Sequence, residues 1–229
     1  YFTIIYCYII NAAGNFKWAK RMGGNSFNRC LSMALDENEN IYTTGFFDKQ
    51  VDFDPGPADG TITSFGEDDM YLCKLDSNGN FIWNKQIGGA SYDAGYAVTV
   101  DATGNVYTAG YFQGLVDFDP GPGIFNLSSI ALSDIFILKL TADGNFIWVK
   151  TMGGNSFDRP NSIKVDAQNN IYTIGYFGQT VDFDPGPSVF NLVSNGENDI
   201  YVHKMSQCLA TTTTALTAST CNNYILTGQ

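Results

Sequence analysis

Three pairs of aspartates with the spacing Asp-x-Asp are the residues of this sequence best suited to chemistry. The seven-residue segment Val-Asp-Phe-Asp-Pro-Gly-Pro occurs three times, and its pairs are Asp52 and Asp54, Asp117 and Asp119, and Asp182 and Asp184. Residues two apart in an extended chain point the same way, so the two carboxylates of a pair lie side by side and repel each other. A hard cation such as Ca²⁺ would relieve that repulsion, with loop carbonyls completing its oxygen shell.

Turn formation is the alternative role for the same aspartates. Pro and Gly preset the second and third positions of a turn, and a preceding Asp caps it. This explains Asp54, Asp119 and Asp184 without a metal, whereas the first Asp of each pair stays unexplained. Calcium binding and turn capping therefore both remain open.

Catalysis has little support in the sequence. The chain has a single histidine, His203, within an apolar run, which favours a packed imidazole over a general base. Motifs for a serine nucleophile, a zinc helix or a phosphate loop are missing. Retaining glycosidases need two carboxylates about 5 Å apart, and each Asp pair supplies two carboxylates. Three equivalent copies nevertheless favour structure over one active centre, so we predict no catalytic residue, and Ca²⁺ is the one candidate cofactor.

The elements that must position these aspartates repeat every 65 residues. Three tryptophan segments, which begin at Gly14, Gly79 and Gly144, keep this spacing without a gap, as do the three copies of the Asp-x-Asp segment. Such a fixed period indicates a repeat architecture. The units are predicted as a partial one at 1–24, followed by 25–89, 90–154 and 155–206. Residues 207–229 are Thr-rich and form a linker or the start of a following module.

Each unit is predicted to contain four strands, called a to d, which follow one another as antiparallel hairpins. In the third unit they are Ser162 to Val165, Ile171 to Phe177 and Ile200 to Met205, preceded by strand d at Phe146 to Thr151. Asp- and Asn-rich turns separate a from b, and Asn-Gly or Asp-Gly turns separate c from d. Strand c reads as a nearly continuous apolar run, so both of its faces must be covered.

An all-β fold of about three four-stranded antiparallel blades of an incomplete β-propeller satisfies these constraints, because neighbouring blades cover both faces of each sheet. A linear β-solenoid is the competing architecture, although its coils are usually shorter. Known propellers have four to eight blades, so we expect further blades of the same full-length protein to complete the ring.

One stretch carries a resemblance to a known family. Asp101 to Phe112 reads Asp-x-x-Gly-Asn-Val-Tyr-Thr-x-Gly-Tyr-Phe, and Val-Asp-Phe-Asp-Pro-Gly follows it. This pattern resembles the β-propeller repeat family of secreted bacterial proteins and, more loosely, NHL-type blades, over about residues 4–206. The resemblance implies a secreted or cell-surface protein without a general catalytic motif. One departure lies at Ile4, where later units have Asp69 and Asp134.

The net charge of the chain excludes some classes of binding partner. Twelve basic against 23 acidic residues give a net charge of −11, which repels nucleic acid and anionic lipid. No apolar run is long enough for membrane insertion. The b to c and d to a loops share one face of a propeller, where we expect a protein or glycan ligand. A hydrolase acting on extracellular glycans is the alternative function.

The cysteines give two further expectations. Cys7, Cys30 and Cys73 are expected to be buried free thiols, and Cys208 and Cys221 could form a disulfide.

Overall fold

The fold consists of strands joined by turns. The computed structural model describes residues 4–10, 12–207 and 224–225, and among these no helix is present, hence none that could cross a membrane. The strands are β1 (Ile4–Ile10), β2 (Phe16–Gly24), β3 (Asn28–Leu35), β4 (Ile41–Phe47), β5 (Gln50–Asp52), β6 (Thr61–Thr63), β7 (Asp69–Leu75), β8 (Phe81–Gly89), β9 (Ala94–Val100), β10 (Val106–Phe112), β11 (Leu115–Asp117), β12 (Asn126–Ser128), β13 (Asp134–Leu140), β14 (Phe146–Gly154), β15 (Arg159–Val165), β16 (Ile171–Asp182), β17 (Asn191–Met205) and β18 (Tyr224–Ile225).

The strands form antiparallel sheets that correspond to incomplete propeller blades, as predicted. Blade I has the order β3-β4-β7-β8, and blade II has the order β9-β10-β13-β14. Blade III contains β15, β16 and β17, and β18 pairs with β17 at the position of a fourth strand. Strands β1 and β2 form one antiparallel pair before blade I.

The turn between strands a and b is built in the same way in all three blades. In blade II, Asp101 Oδ1 accepts hydrogen bonds from the backbone N–H groups of Thr103 and Asn105, both at 2.9 Å. Its Oδ2 accepts from Asn105 Nδ2 and from the hydroxyl of Tyr107, again at 2.9 Å. Asp36 and Asp166 make the corresponding bonds. The aspartate therefore fixes both the turn and the tyrosine of the next strand.

The hydrophobic core lies between blades. Strand β7 is buried along its whole length, and β13 is buried except at Lys139, so both faces of strand c are covered in blades I and II. Between blades I and II, Met70 and Leu72 pack with Phe112 and Phe136 in one cluster. Two further clusters fill the junction of blades II and III and that of β1 and β2 with blade I. Burying apolar area against the next repeat is what holds the blades together.

The Asp-x-Asp segment forms an additional β-hairpin that the sequence analysis did not predict. Strands β11 and β12 pair with each other, and β11 also pairs with β8 of blade I, so that Val116 lies opposite Gly89. The hairpin of β5 and β6 pairs with β2 in the same way, and the end of β16 pairs with β14. Each unit therefore extends the outer strand of the preceding blade, and we call this hairpin the latch hairpin.

The burial of the cysteines agrees only in part with the expectation from the sequence. Cys73 is a buried free thiol as predicted, whereas Cys7 is half-buried and Cys30 is exposed. Cys30 lies on β3, the edge strand of its sheet, which is hydrogen-bonded to β4 alone among the described strands. The predicted pair Cys208 and Cys221, and most of the segment 207–229, lie outside the described residues.

Candidate functional site

The latch hairpins and the loops between strands d and a lie together at one end of the blades, which we call the loop end. Gly23 and Gly24 at the end of β2 pair with Asp52 and Val51 of the first latch hairpin. A polar cleft of about 470 Å³ lies between them, and its lining includes Asn25, Ser26 and Asp52. The structure thus brings the two loop types together, as the sequence analysis expected.

The first aspartate of each pair has a structural role that the sequence did not reveal. Asp117 Oδ1 accepts hydrogen bonds from the backbone N–H groups of Asp119, at 3.0 Å, and Phe125, at 2.8 Å. Asp52 and Asp182 make equivalent pairs of bonds across their own loops. These carboxylates therefore close the tip of the latch hairpin by joining its two sides.

The second aspartate caps the turn, as predicted. Asp54, Asp119 and Asp184 each accept a hydrogen bond from the N–H group of the glycine two residues later. In the described part of the chain, no three His, Cys, Asp or Glu side chains are grouped so that they could hold a metal ion. The hydrogen bonds account for the loop without a cation, and calcium binding by the Asp pairs stays a prediction.

A second group of residues at the loop end departs from the repeat. Asp48, Glu67, Asp68 and Tyr92 lie near one another at the junction of blades I and II. The charge of Glu67 is the main cause that raises the pKa of Tyr92, with further contributions from desolvation and from Asp68 and Asp48. Burial raises the pKa of Asp68, and the charges of Asp48 and Glu67 raise it further. Three carboxylates and one tyrosine thus share a small area.

Two more tyrosines extend this area toward blade III. The rings of Tyr96 and Tyr111 lie 5.7 Å apart and are tilted by 33°. The guanidinium carbon of Arg159 lies 3.7 Å from the centre of the Tyr96 ring, which joins β15 to β9. Burial, followed by the neighbouring Tyr96 and Asp68, raises the pKa of Tyr111 to about 12. Asp68 therefore links the stacked tyrosines to the acidic group, and we call the combined area the acidic tyrosine surface.

Comparison of the units is the sequence signal that would have found this surface. Position 48 is Asp, but the equivalent residues of the later units are Gln113 and Gly178. The equivalents of Asp68 are Ser133 and Asn198. The equivalent of Glu67 in the second unit is Leu132. Tyr92 corresponds to Phe27 and Phe157, and Tyr96 corresponds to Leu31 and Asn161. These residues escape an interpretation that rests on the repeated positions alone.

His203 is packed inside blade III. Its side chain is fully buried, and neither ring nitrogen has a hydrogen-bond partner. Burial lowers its pKa to about 4, so the imidazole is neutral at physiological pH. It occupies the position of Cys73 and Leu138 and belongs to the core, as the sequence analysis expected.

Comparisons with known proteins agree with the repeat architecture. A family model described as a beta-propeller repeat matches residues 82–111, which run from strand β8 into β10. An uncharacterized WD repeat-containing protein, L264 of Acanthamoeba polyphaga mimivirus, is 26% identical over 213 residues, covering 81% of this chain and 15% of that protein. Regulatory protein FlaEY of Caulobacter vibrioides is 26% identical over 110 residues, covering 48% of this chain and 12% of that protein. The chain thus corresponds to a small part of each relative.

Proposed function

We propose that this chain is a segment of a non-catalytic β-propeller scaffold that binds a protein partner through the acidic tyrosine surface. The carrying observation is that Asp48, Asp68 and Tyr92 differ from their equivalents in both other units, and Glu67 in one of them, on a framework that is otherwise repeated closely. Propeller repeat proteins generally serve as scaffolds for protein interaction. Residues that a repeat fold does not require, gathered at its loop end, are best explained by a ligand.

The chemistry of this surface fits a basic segment of the partner. Lys or Arg side chains can pair with the carboxylates of Glu67 and Asp68, compete with Lys49 for that of Asp48, and lie against the tyrosine rings. Tyrosine is also enriched among the residues that dominate binding energy at protein interfaces. The net charge of −11 favours the approach of a cationic partner over long range.

A glycan ligand is the second candidate, and the polar cleft beside the first latch hairpin favours it. Asn25, Ser26 and Asp52 offer the side-chain hydrogen-bonding groups that sugar hydroxyls require. For this candidate the propeller would display the cleft outside the cell, in line with the secreted or cell-surface location that the sequence resemblance implies. A glycan hydrolase would in addition lose its turnover when Asp117 and Asp119 are both changed to Asn.

The test compares the chain with a variant that carries the residues of the other units. Asp48→Gln, Glu67→Leu, Asp68→Ser and Tyr92→Phe reproduce Gln113, Leu132, Ser133 and Phe157, so the fold should tolerate them. The control, Glu37→Gln, Glu39→Gln and Asp143→Asn, removes three exposed acids at the opposite end of the blades. Both proteins are titrated with Arg- and Lys-rich peptides and with an oligosaccharide panel.

The proposal predicts that the peptides bind the chain and the control, and that the four-residue variant loses at least about tenfold in affinity. Equal peptide binding by the variant and the control would show that only net charge matters and would overturn the proposal. Oligosaccharide binding that the four-residue variant retains, without peptide binding, would favour the glycan candidate.

A further inference from the structure

Each complete blade junction holds two buried aspartates, one from each neighbouring blade, and they are close enough to interact electrostatically. Asp69 opens β7 of blade I and Asp93 directly precedes β9 of blade II, and their side chains are 0% and 1% exposed. At the next junction, Asp134 opens β13 and Asp158 precedes β15, with 3% and 0% exposure. Neither the calcium prediction nor the proposed binding surface uses these pairs.

A Gly-Gly step at the end of strand d holds each pair in place. The carboxyl group of Asp134 lies against Gly153, so closely that a methyl group at this position would overlap it. The N–H group of the next residue, Gly154, is near enough to both Asp134 and Asp158 to oppose the rise of their pKa values. At the preceding junction Asp69 lies against Gly88, and the Gly89 N–H group donates to Asp93 Oδ2 at 2.8 Å. Each pair of carboxyl groups therefore lies beside the same Gly-Gly step.

Each carboxyl group is also anchored by a loop amide. Asp134 Oδ2 accepts from Ile130 N–H at 3.0 Å, and Asp158 Oδ1 accepts from Gly178 N–H at 3.1 Å. Phe65 and Gln113 donate correspondingly to Asp69 and Asp93. Three of the remaining oxygens, Asp69 Oδ1, Asp134 Oδ1 and Asp158 Oδ2, are buried without a hydrogen-bond partner. An orphaned oxygen on a fully buried carboxyl group is costly unless something binds it.

Positive charge does not compensate these acids. In the described part of the chain no Lys, Arg or His forms an ion pair with any of the four carboxyl groups. Arg159 adjoins Asp158 in sequence, but its guanidinium group is stacked on Tyr96. Asp68 adds further negative charge beside Asp69, and the side chain facing Asp69 from β8 is the neutral Gln86. Two unscreened negative charges in one buried site are therefore untenable.

We propose that each blade junction is a proton-binding site, in which the two carboxyl groups hold a single proton between them in the folded protein at neutral pH. The proton gives one oxygen a donor and lets the carboxyl of one blade bond to that of the next. Burial is the main cause that raises the pKa values, to about 6 for Asp69 and Asp134 and about 7 for Asp93 and Asp158. Since the two groups of a pair interact, these values describe the pair.

The first unit, in which both aspartates are replaced, supports the assignment of a shared proton to the pairs. Its positions equivalent to Asp69 and Asp93 are Ile4 and Asn28, so neither acid is present at the junction of β1 with blade I. Both acids occur together at two junctions and are replaced together at the third. This is expected of two groups that depend on each other and is not required of two independent loop caps.

The sign of the pH dependence follows from the raised pKa values. A group that binds its proton more tightly in the folded state stabilises the fold at low pH and loses that contribution as pH rises through the folded pKa. The junctions should therefore weaken between about pH 4, where unfolded Asp titrates, and about pH 7. Burial lowers the pKa of His203 from 6.5 to about 4, so this group stabilises the fold as pH rises to about 6.5 and opposes the fall; a comparison with a variant that lacks the carboxyl pairs separates the two effects.

Calorimetric melting of the full chain between pH 5 and 8 tests the proposal. The expected result is a fall in Tm of about 5 °C or more as pH rises, measured relative to the double variant described next, which keeps His203. In the variant Asp93→Asn and Asp158→Asn, the amide imitates a protonated carboxyl, so most of that fall should disappear. The control Asp143→Asn, at an exposed turn, should keep the full pH dependence.

Infrared spectroscopy at pH 7 provides a readout that does not depend on whether the double variant folds. The proposal predicts a carbonyl band of protonated carboxyl groups in the unmodified chain. A missing band together with a flat Tm between pH 5 and 8 would overturn it. A Tm at pH 8 that rises with added Na⁺, K⁺ or Ca²⁺ in the unmodified chain and in the Asp143→Asn control, but not in the double variant, would show a cation in place of the proton and would equally overturn the proposal.

Discussion

At the scale of single residues, the two aspartates of each pair contribute differently to the stability of the loop. Asp117 receives two backbone N–H groups from opposite sides of its loop, whereas Asp119 receives one from an adjacent turn. Removing an acceptor leaves its donors unsatisfied, and the cost grows with the number of donors. The first position therefore matters more for stability, although only the second was explained from the sequence.

We predict that Asp117→Ala lowers the free energy of unfolding by about 1–3 kcal/mol, because two loop amides lose their acceptor. Asp117→Asn retains an oxygen at the same place and should cost less than half of that. Urea denaturation measures both. A cost for Asp119→Ala equal to that of Asp117→Ala would contradict the unequal roles assigned to the pair.

Calcium binding by the Asp pairs can be tested by melting the protein with and without millimolar Ca²⁺. If the pairs bind the ion in the folded state only, Tm rises with calcium concentration, since the stabilisation is RT ln(1 + [L]/Kd). The variant with Asn at 117 and 119 should show a smaller rise because one of its three pairs has lost its charge. An unchanged Tm in the unmodified chain would show that the aspartates act only in the turn.

At the scale of elements, the strands that repeat locally could be predicted, whereas their long-range pairings could not. Strand c was evident from the apolar runs at Met70 and Ile135, since both faces of such a run must be covered. The pairing of β11 with β8 joins residues of different units, and nothing local to Val116 points to Gly89. The burial of Asp93 was hidden for the same reason, because the residues that cover it come from two blades.

The latch hairpin provides a direct energetic test at this scale. Phe118 is fully buried, and its ring lies 5.1 Å from that of Phe112 and 5.2 Å from that of Phe136. We predict that Phe118→Ala lowers the free energy of unfolding by about 3–5 kcal/mol, because it leaves a cavity between blades. Chemical denaturation measures the loss.

The matched control for that prediction lies on the same hairpin. Ile124 is 78% exposed, so Ile124→Ala should change stability by less than about 0.5 kcal/mol. Equal effects of the two substitutions would mean that the hairpin does not pack into the junction.

At the scale of the whole molecule, blade III presents an apolar face that its equivalents bury. Ile200 and Val202 are 86% and 45% exposed, while Ile135 and Ile137, at the same positions of blade II, are fully buried against blade III. An apolar patch of this kind favours association. The face fits a further blade of the same repeat, in agreement with the incomplete propeller expected from the sequence.

We predict that the chain on its own self-associates with increasing concentration and that Ile200→Lys with Val202→Lys reduces this association. Sedimentation analysis of both proteins measures it. Lysine at Phe65, which is exposed on a loop away from that face, is the control and should leave the association unchanged. A chain that stays monomeric at all concentrations would contradict the prediction.

The central claim is that the units are antiparallel blades joined by latch hairpins, and backbone proton contacts measured by NMR test it most directly. If the latch hairpins join the blades in this way, Gly88 contacts Asp117, and equivalent contacts are expected between Gly23 and Asp52 and between Gly153 and Asp182. Contacts between residues one full repeat apart, such as Trp83 and Trp148, would instead show coils stacked along a straight axis and would contradict it.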